Sequence, residues 1–361
     1  MMTLSSIIQQ FSRSFIAQYE HRLLPSHRKA LSAMGSCRTK QSRKMLVECG
    51  DCEKRMFVPH SCGHRNCPHC QAHESQQWLE RQLKKQVPAD YFLITFTMPA
   101  EFRPLVWQHQ RTMYALMMQC AWDTLKTFSM NDKKLQGVPG AIAVLHTHSR
   151  RLDFHPHIHV VIPAGVIDKV KQLWRTKKSK KPFLFHHTAL AKVFRAKLLA
   201  GMRQEKLQLP SKHPEQWVVD CKHVGSGQKA LIYLGRYLYR GVIQEKDIVG
   251  CDGGHVTFRY QNSKTKQTEY KTVTGEAFLW LLMQHVLPKG FRRARNFGFL
   301  HPNSKRLIQV LQWVCKLDPN RALAWLRKRP PMLCKCCGGT MIIIQTRILA
   351  TFFHAESLVP T

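Results

Sequence analysis

Acidic residues are scarce in this 361-residue chain: 22 Asp and Glu stand against 56 Lys and Arg, a formal charge of +34. Such an excess repels itself unless a polyanion neutralises it, and the usual polyanion is nucleic acid. Long apolar runs are missing as well. Nothing approaches the ~20 apolar residues that a bilayer span requires, so no membrane partner is expected. Residues 1–15 lack a basic region leading into a continuous apolar run, so no export signal is expected and the chain reads as cytoplasmic. No G-x-x-x-x-G-K-[ST] occurs, which excludes a P-loop and the ATP-driven strand separation it serves. A hydrophobic content of 44% and an aromatic content of 9% exclude a disordered basic tail. The length suits two or three folded domains.

Cysteine and histidine are plentiful. Thirteen cysteines in a chain without an export signal point to metal rather than disulfides. Cys49-Gly-Asp-Cys52 and Cys67-Pro-His-Cys70 are two C-x2-C pairs. Each is a tight turn presenting two thiolates, and together they suit one tetrahedral Zn²⁺ at about 2.3 Å. Residues 37–75 hold too few large side chains for a core, so zinc is expected to drive their folding. Cys62 and His64 lie between the pairs and leave the ligand set open: each replaces a ligand, joins a second ion or stands by. Cys334 and Cys337 form a half-site, which Cys315, Cys336 or His354 would have to complete; an unmetallated tail is an equal alternative. Cys120, Cys221, Cys251 and Cys315 read as small buried hydrophobes.

Apolar periodicity predicts helices within 1–36 and over 104–128, about 187–208, 227–240 and 275–287. Strands are expected at 91–97, 141–147, 157–162, 217–222, 255–260 and 268–273. Residues 168–181 form a basic insertion, read as an exposed loop or hairpin, and 289–295 are a second basic cluster. The order of elements lacks a βαβ rhythm and implies an α+β fold with a mostly antiparallel sheet. Three segments are expected: 1–85, helical and zinc-binding; 86–300, the main sheet domain; and 301–361, a helical tail with the half zinc site.

His155-Pro-His157-Ile-His159 is the most informative stretch outside the cysteines. Side chains of a strand alternate, so His157 and His159 share a face while Ile158 turns to the core. Two imidazoles on one face can chelate a metal ion. Residues 141–147 are expected to pair antiparallel with this strand, with His146 as third ligand and His148 and His155 as rivals. The plainer alternative is a polar strand face in a chain with 20 histidines. Farther on, Tyr233 and Tyr237 stand four residues apart on one face of a predicted helix, with Arg236 and Arg240 on another stripe suited to phosphates. The alternative there is an aromatic core stripe. A tyrosine hydroxyl can attack a phosphodiester when a metal neutralises the non-bridging oxygens, so the two motifs make chemical sense of one another.

The combination resembles the rolling-circle insertion-sequence transposases that carry a His-hydrophobic-His motif, two tyrosines and an N-terminal zinc-binding domain. The resemblance runs over roughly residues 25–300 and rests on six stretches in order: 61–71, 91–99, 144–147, 155–159, 233–237 and 285–291. It implies an antiparallel-sheet nuclease domain with flanking helices at 86–300, preceded by a small zinc-binding domain. It further implies Mg²⁺ or Mn²⁺ at His157 and His159 and nucleophiles at Tyr233 and Tyr237. Single-stranded element ends would be cleaved through a 5′-phosphotyrosine with release of a 3′-OH. The implied partners are single-stranded DNA at element termini, target DNA, and a host helicase or replication machinery; the implied location is the nucleoid. Gly63-His64 stands where the family has a more basic pair, and Tyr239 is an additional hydroxyl. Histidines preceding tyrosines favour a transposase or replication initiator over conjugative relaxases. A plasmid-type rolling-circle initiator and a non-catalytic zinc-dependent DNA-binding regulator are the alternatives. A three-carboxylate transposase finds no supporting group of acids.

Overall fold

The computed structural model describes residues 3–349 apart from 169–172, 179–181, 240, 263–264 and 327–329, and apart from the side chains of Ala72, Arg236, Tyr237, Tyr239 and Trp325. In chain order, α1 (Leu4–Tyr19) and α2 (Pro25–Gly35) precede the hairpin of β1 (Lys44–Cys49) and β2 (Arg55–Pro59). Then come α3 (Ala72–Leu83), β3 (Tyr91–Thr97), α4 (Arg103–Gln108) and α5 (Gln110–Asn131). Four strands follow, β4 (Val138–His148), β5 (Phe154–Pro163), β6 (Gly165–Asp168) and β7 (Leu173–Thr176). Next are α6 (His187–Gln204), β8 (Val219–His223), α7 (Gln228–Tyr239), β9 (Ile248–Asp252), β10 (His255–Gln261) and β11 (Thr268–Thr274). The described chain closes with α8 (Gly275–Met283), β12 (Ala294–Gly298), α9 (Lys305–Val314) and β13 (Met341–Ile348). The fold is α+β with antiparallel sheets, as expected. Among the described residues no helix is long and apolar enough to cross a membrane.

The elements divide into two compact units. One runs from Glu74 to Leu238 and from Leu287 to Leu326. It is built on a seven-stranded sheet in the order β7-β6-β4-β5-β3-β8, with β12 also paired to β4. Alternation along the strands decides its two faces. Ile94 and Phe96 of β3, Ala143 and Leu145 of β4, and Ile158 and Val160 of β5 enter one core. Met113, Met117 and Leu125 of α5 and Phe194 and Leu198 of α6 meet them there. The single helix expected over 104–128 is interrupted at His109 (φ −119°, ψ 43°), so that α4 and α5 each bury their own apolar stripe. The basic insertion is a hairpin where it is described, β6 pairing with β7.

The other unit draws on three separated stretches: the chain up to His73, Tyr239–Val286, and from Arg327 onward. Here α1 packs on α2 and α8 beside the sheet β11-β10-β9. Trp280 of α8 is stacked on Tyr19 at 5.0 Å, and the Arg22 guanidinium lies 4.4 Å from the Trp280 ring centroid. Gly275 opens α8 because Phe11 of α1 occupies the space of a side chain; a Cβ there would lie 2.3 Å from the Phe11 ring. A second sheet of order β13-β1-β2 completes this unit. The stretch 301–361, expected as one helical tail, is thus divided: α9 belongs to the first unit and β13 is a strand of the second. The β-branched run Ile342-Ile-Ile344 finds a partner in β1, far away in sequence.

Candidate metal and tyrosine site

Register builds the histidine cluster. His146 on β4 lies directly opposite His157 on β5, and His159 lies opposite Val144 on one side and Thr95 of β3 on the other. With Ile158 and Val160 committed to the core, His157 and His159 emerge on the opposite face, together with His146. Ring centroids are 5.2 Å apart for His146 and His157, 4.3 Å for His146 and His159, and 4.9 Å for His157 and His159. One ligand nitrogen from each lies within 4.8 Å of the others.

Burial keeps these imidazoles neutral. It draws His157 down to about 4 and, with His157 alongside, His159 down to about 3. His146 is held well below the ordinary histidine range by burial first and by the neighbouring imidazoles second. At pH 7 all three offer lone pairs to a cation. Their orientation is set from behind: His157 Nδ1 donates to the His155 carbonyl at 2.7 Å, and His159 Nδ1 lies 2.9 Å from Thr95 Oγ1. With Nδ1 engaged in this way, Nε2 of His157 and of His159 is the nitrogen left to face a cation. Three neutral imidazoles suit a transition ion such as Mn²⁺ better than Mg²⁺, which prefers oxygen. The rivals fall outside the group. His155 Nδ1 accepts from Arg103 Nη2 at 2.9 Å, and the His148 ring lies 6.5 Å from that of His146.

Helix α7 brings a phenol to this face. Its start is shaped by Gly227 (φ +81°), where a Cβ would fall 2.6 Å from the Tyr91 ring. Leu231, Leu234 and Leu238 form the buried stripe. Trp78 of α3 packs beside Gly235, and Ser75 Oγ donates to the Gly235 carbonyl at 3.0 Å. Tyr233 stands away from that stripe, 39% exposed. Its ring centroid is 6.1 Å from His159 and 6.4 Å from His146. Tyr237 follows one turn along the same helix; its side chain, that of Arg236, and the whole of Arg240 lie outside the described residues. Thr95 escaped the sequence reading, because a threonine in a strand gains a role only once its register opposite His159 is known.

The four cysteines expected to share one zinc ion are divided. Cys67 and Cys70 meet Cys37 and Cys62, with Sγ separations of 3.4 Å for Cys37 and Cys70 and 3.6 Å for Cys37 and Cys67. Tetrahedral zinc with 2.3 Å bonds sets its thiolates about 3.8 Å apart, so this set fits the ion. The Cys62 N–H donates to Cys70 Sγ at 3.3 Å. Cys49 and Cys52 sit at the tip of the β1–β2 hairpin, whereas the chain leaves its base, where Pro59 pairs with Lys44, to reach Cys62. The four rungs between put roughly 13 Å between tip and base, too far for one ion. Cys49 and Cys52 instead lie beside Cys334 and Cys337. Cys37 had no signal in the sequence, being a single cysteine after a helix. His64 is not in the cluster; its Nδ1 accepts from the Asn66 N–H at 3.3 Å.

Comparison with known proteins bears on the same segments. The family described as "Transposase zinc-binding domain" matches residues 7–98, and the family described as "Putative transposase" matches residues 140–307. A protein described as "Putative transposase y4qJ" from Sinorhizobium fredii NGR234 is 28% identical over 319 residues, covering 82% of this chain and 79% of its own length. The transposase for insertion sequence element IS801 of Pseudomonas savastanoi pv. phaseolicola is 26% identical over 276 residues, 70% of this chain and 65% of that protein. Among solved structures, the conjugative relaxase TrwC in complex with mutant oriT DNA aligns over 62% of this chain and 74% of its own at 14% identity. The TM-score is 0.27, too low to carry an inference.

Proposed function

We infer that this chain, which belongs to the insertion-sequence transposases with an N-terminal zinc-binding domain, cuts and rejoins single-stranded DNA at element ends by tyrosine attack. What carries this is Tyr233, whose ring stands beside His146 and His159 on one sheet face. His146, His157 and His159 would hold a divalent ion, Mg²⁺ or Mn²⁺, which would supply positive charge to the phosphate under attack. Helix α7 presents the phenol; its oxygen attacks phosphorus, the bond from phosphorus to O3′ breaks, the phenolic proton passes to water, and water returns a proton to the departing O3′. The products are a 5′-phosphotyrosine and a free 3′-OH. Attack by a 3′-OH in the reverse sense rejoins a strand and frees the tyrosine. Such exchange keeps one phosphodiester for another, so it needs no nucleotide, in accord with the absent P-loop. Tyr237, one turn along, is the second nucleophile of this scheme, which permits a second strand transfer in a rolling-circle reaction. Arg236 and Arg240, its neighbours in the sequence, are the phosphate contacts of this scheme.

Cations supply the affinity. Arg81, Lys84, Lys85, Arg111, Arg292 and Arg295 line a cavity of about 1250 Å³ that has no carboxylate in its wall. This is the path we assign to the DNA backbone, with a host helicase or replication fork providing the separated strand. The test is covalent capture: end-labelled single-stranded terminus DNA, protein and Mn²⁺, resolved under denaturing conditions. Wild type forms a protein–DNA adduct that EDTA prevents, and the Tyr233→Phe, Tyr237→Phe double variant forms none. No adduct with wild type, or an undiminished one in the double variant, refutes the tyrosine chemistry; binding without an adduct indicates a DNA-binding regulator.

A further inference from the structure

We propose that Cys49, Cys52, Cys334 and Cys337 bind a second zinc ion, which fastens the C-terminal strand β13 onto the N-terminal hairpin. Cys334 and Cys337 lie beyond both family matches, which end at residues 98 and 307.

The four thiols are already arranged as ligands. Cys49 Sγ is 3.4 Å from Cys337 Sγ, Cys52 Sγ is 3.7 Å from Cys334 Sγ, and all four sulfurs lie within 4.8 Å of one another. Those are the separations of a tetrahedral thiolate site at about 2.3 Å per bond. Each pair sits on a tight turn. In the first, the Gly50 N–H donates to the Thr340 carbonyl at 3.0 Å. In the second, the Cys334 N–H donates to the Gly339 carbonyl at 2.8 Å and the Gly338 N–H to the Cys334 carbonyl at 3.0 Å, with Gly338 at φ +79°. The Cys336 N–H points at Cys334 Sγ, 3.4 Å away, a donor that favours thiolate over thiol. The turns also interlock: a Cβ on Gly339 would collide with the Asp51 carboxylate.

Packing alone does not account for the assembly. The core under this three-stranded sheet consists of Val47, Cys49, Cys334 and Met341, with Met45, Met56, Val58 and Met332 half-buried around it. Two of its four buried members are themselves cysteines. Along β13, Ile342, Ile343 and Ile344 remain more than half exposed. A core this small does not hold together two segments whose cysteines, Cys49 and Cys337, are 288 residues apart in sequence, whereas a structural zinc ion routinely organises modules with no larger core. The set is closed, with four protein ligands and no position for substrate, so its role is structural.

Cys336 provides an internal control. It lies between the two C-terminal ligands, is as exposed as Cys52 and Cys337, and is outside the cluster. Purified full-length wild type is therefore expected to contain two zinc ions per chain by elemental analysis. Brief alkylation followed by peptide mapping should label Cys336 at once and leave Cys52 and Cys337 unlabelled until a chelator is added. The Cys334→Ser, Cys337→Ser variant should retain one zinc ion and lose protection of Cys49 and Cys52 while keeping that of Cys67 and Cys70. One zinc ion per wild-type chain, iron in place of zinc, or alkylation of Cys337 as fast as Cys336 would overturn the proposal, whether or not the variant folds and whether or not the tyrosines react.

Discussion

Thr95→Val tests the histidine cluster at a residue that touches neither DNA nor metal in the proposed site. Thr95 Oγ1 lies 2.9 Å from His159 Nδ1, and the two residues face each other across β3 and β5. Valine keeps the shape and the β-branch, so the strand should persist. What changes is the partner of Nδ1 on a largely buried ring. In the metal-free protein His159 can answer by changing tautomer or tilting. With a cation on Nε2 it cannot, because Nδ1 must then carry the proton and finds no acceptor. An unsatisfied buried donor costs about 1–3 kcal/mol. Loss of an outer partner of a metal-binding histidine typically costs 10–100-fold in affinity, about 1.4–2.8 kcal/mol, so the two scales agree. Mn²⁺ titration of full-length protein by calorimetry should show that weakening, while the urea midpoint stays near wild type. Thr95→Ser, which keeps the hydroxyl, should bind nearly as wild type does. Unchanged Mn²⁺ affinity in Thr95→Val, or an equal loss in Thr95→Ser, would refute the assignment of Nε2 as the ligand.

Charge reversal of Arg292 and Arg295 removes two phosphate contacts in the proposed DNA path; the plot of log affinity against log salt for single-stranded DNA should flatten by about 1.4, read by fluorescence anisotropy. Gly275→Ala drives a methyl group into the Phe11 ring, and overpacking of this kind should cost about 1–3 kcal/mol in urea unfolding. Burial pushes the Asp132 carboxyl up, but the Lys177 ammonium 2.5 Å away and the backbone N–H groups of Lys134 and Leu135 together outweigh it and hold the group below the ordinary range. A depressed carboxylate stabilises the fold above its unfolded pKa and ceases to do so as pH falls through the folded value. Asp132→Asn should therefore cost about 1–3 kcal/mol at pH 7, a difference that shrinks below about pH 4 in parallel urea titrations.

Local pattern made much of this protein legible. The alternation in His157-Ile-His159 fixed a shared face without any knowledge of the sheet, and the apolar run at 141–147 supplied the neighbouring strand that carries His146. Strand β12 was not legible: Ala294–Gly298 is half polar, ends in glycine and overlaps the basic cluster 289–295, and it becomes a strand only by pairing with β4. The break at His109 was hidden because neither glycine nor proline marks it. The cysteines misled for another reason. C-x2-C spacing identifies pairs that share a turn, but which pairs meet depends on long-range strand pairing. The hairpin geometry that parts Cys52 from Cys67, and the return of β13 to β1, have no signature in spacing.

The junction of β13 with β1 also sets a timetable for synthesis. Cys49 leaves the ribosome long before Cys337, and at about 5–20 residues per second the 288 intervening positions take roughly 15–60 s. During that interval the tip of the β1–β2 hairpin has two thiols and no partners, while Cys37, Cys62, Cys67 and Cys70 are complete within the first 70 residues. Translation that stops between Tyr233 and Cys334 therefore leaves the hairpin without its third strand, in a chain that already carries the three histidines and Tyr233.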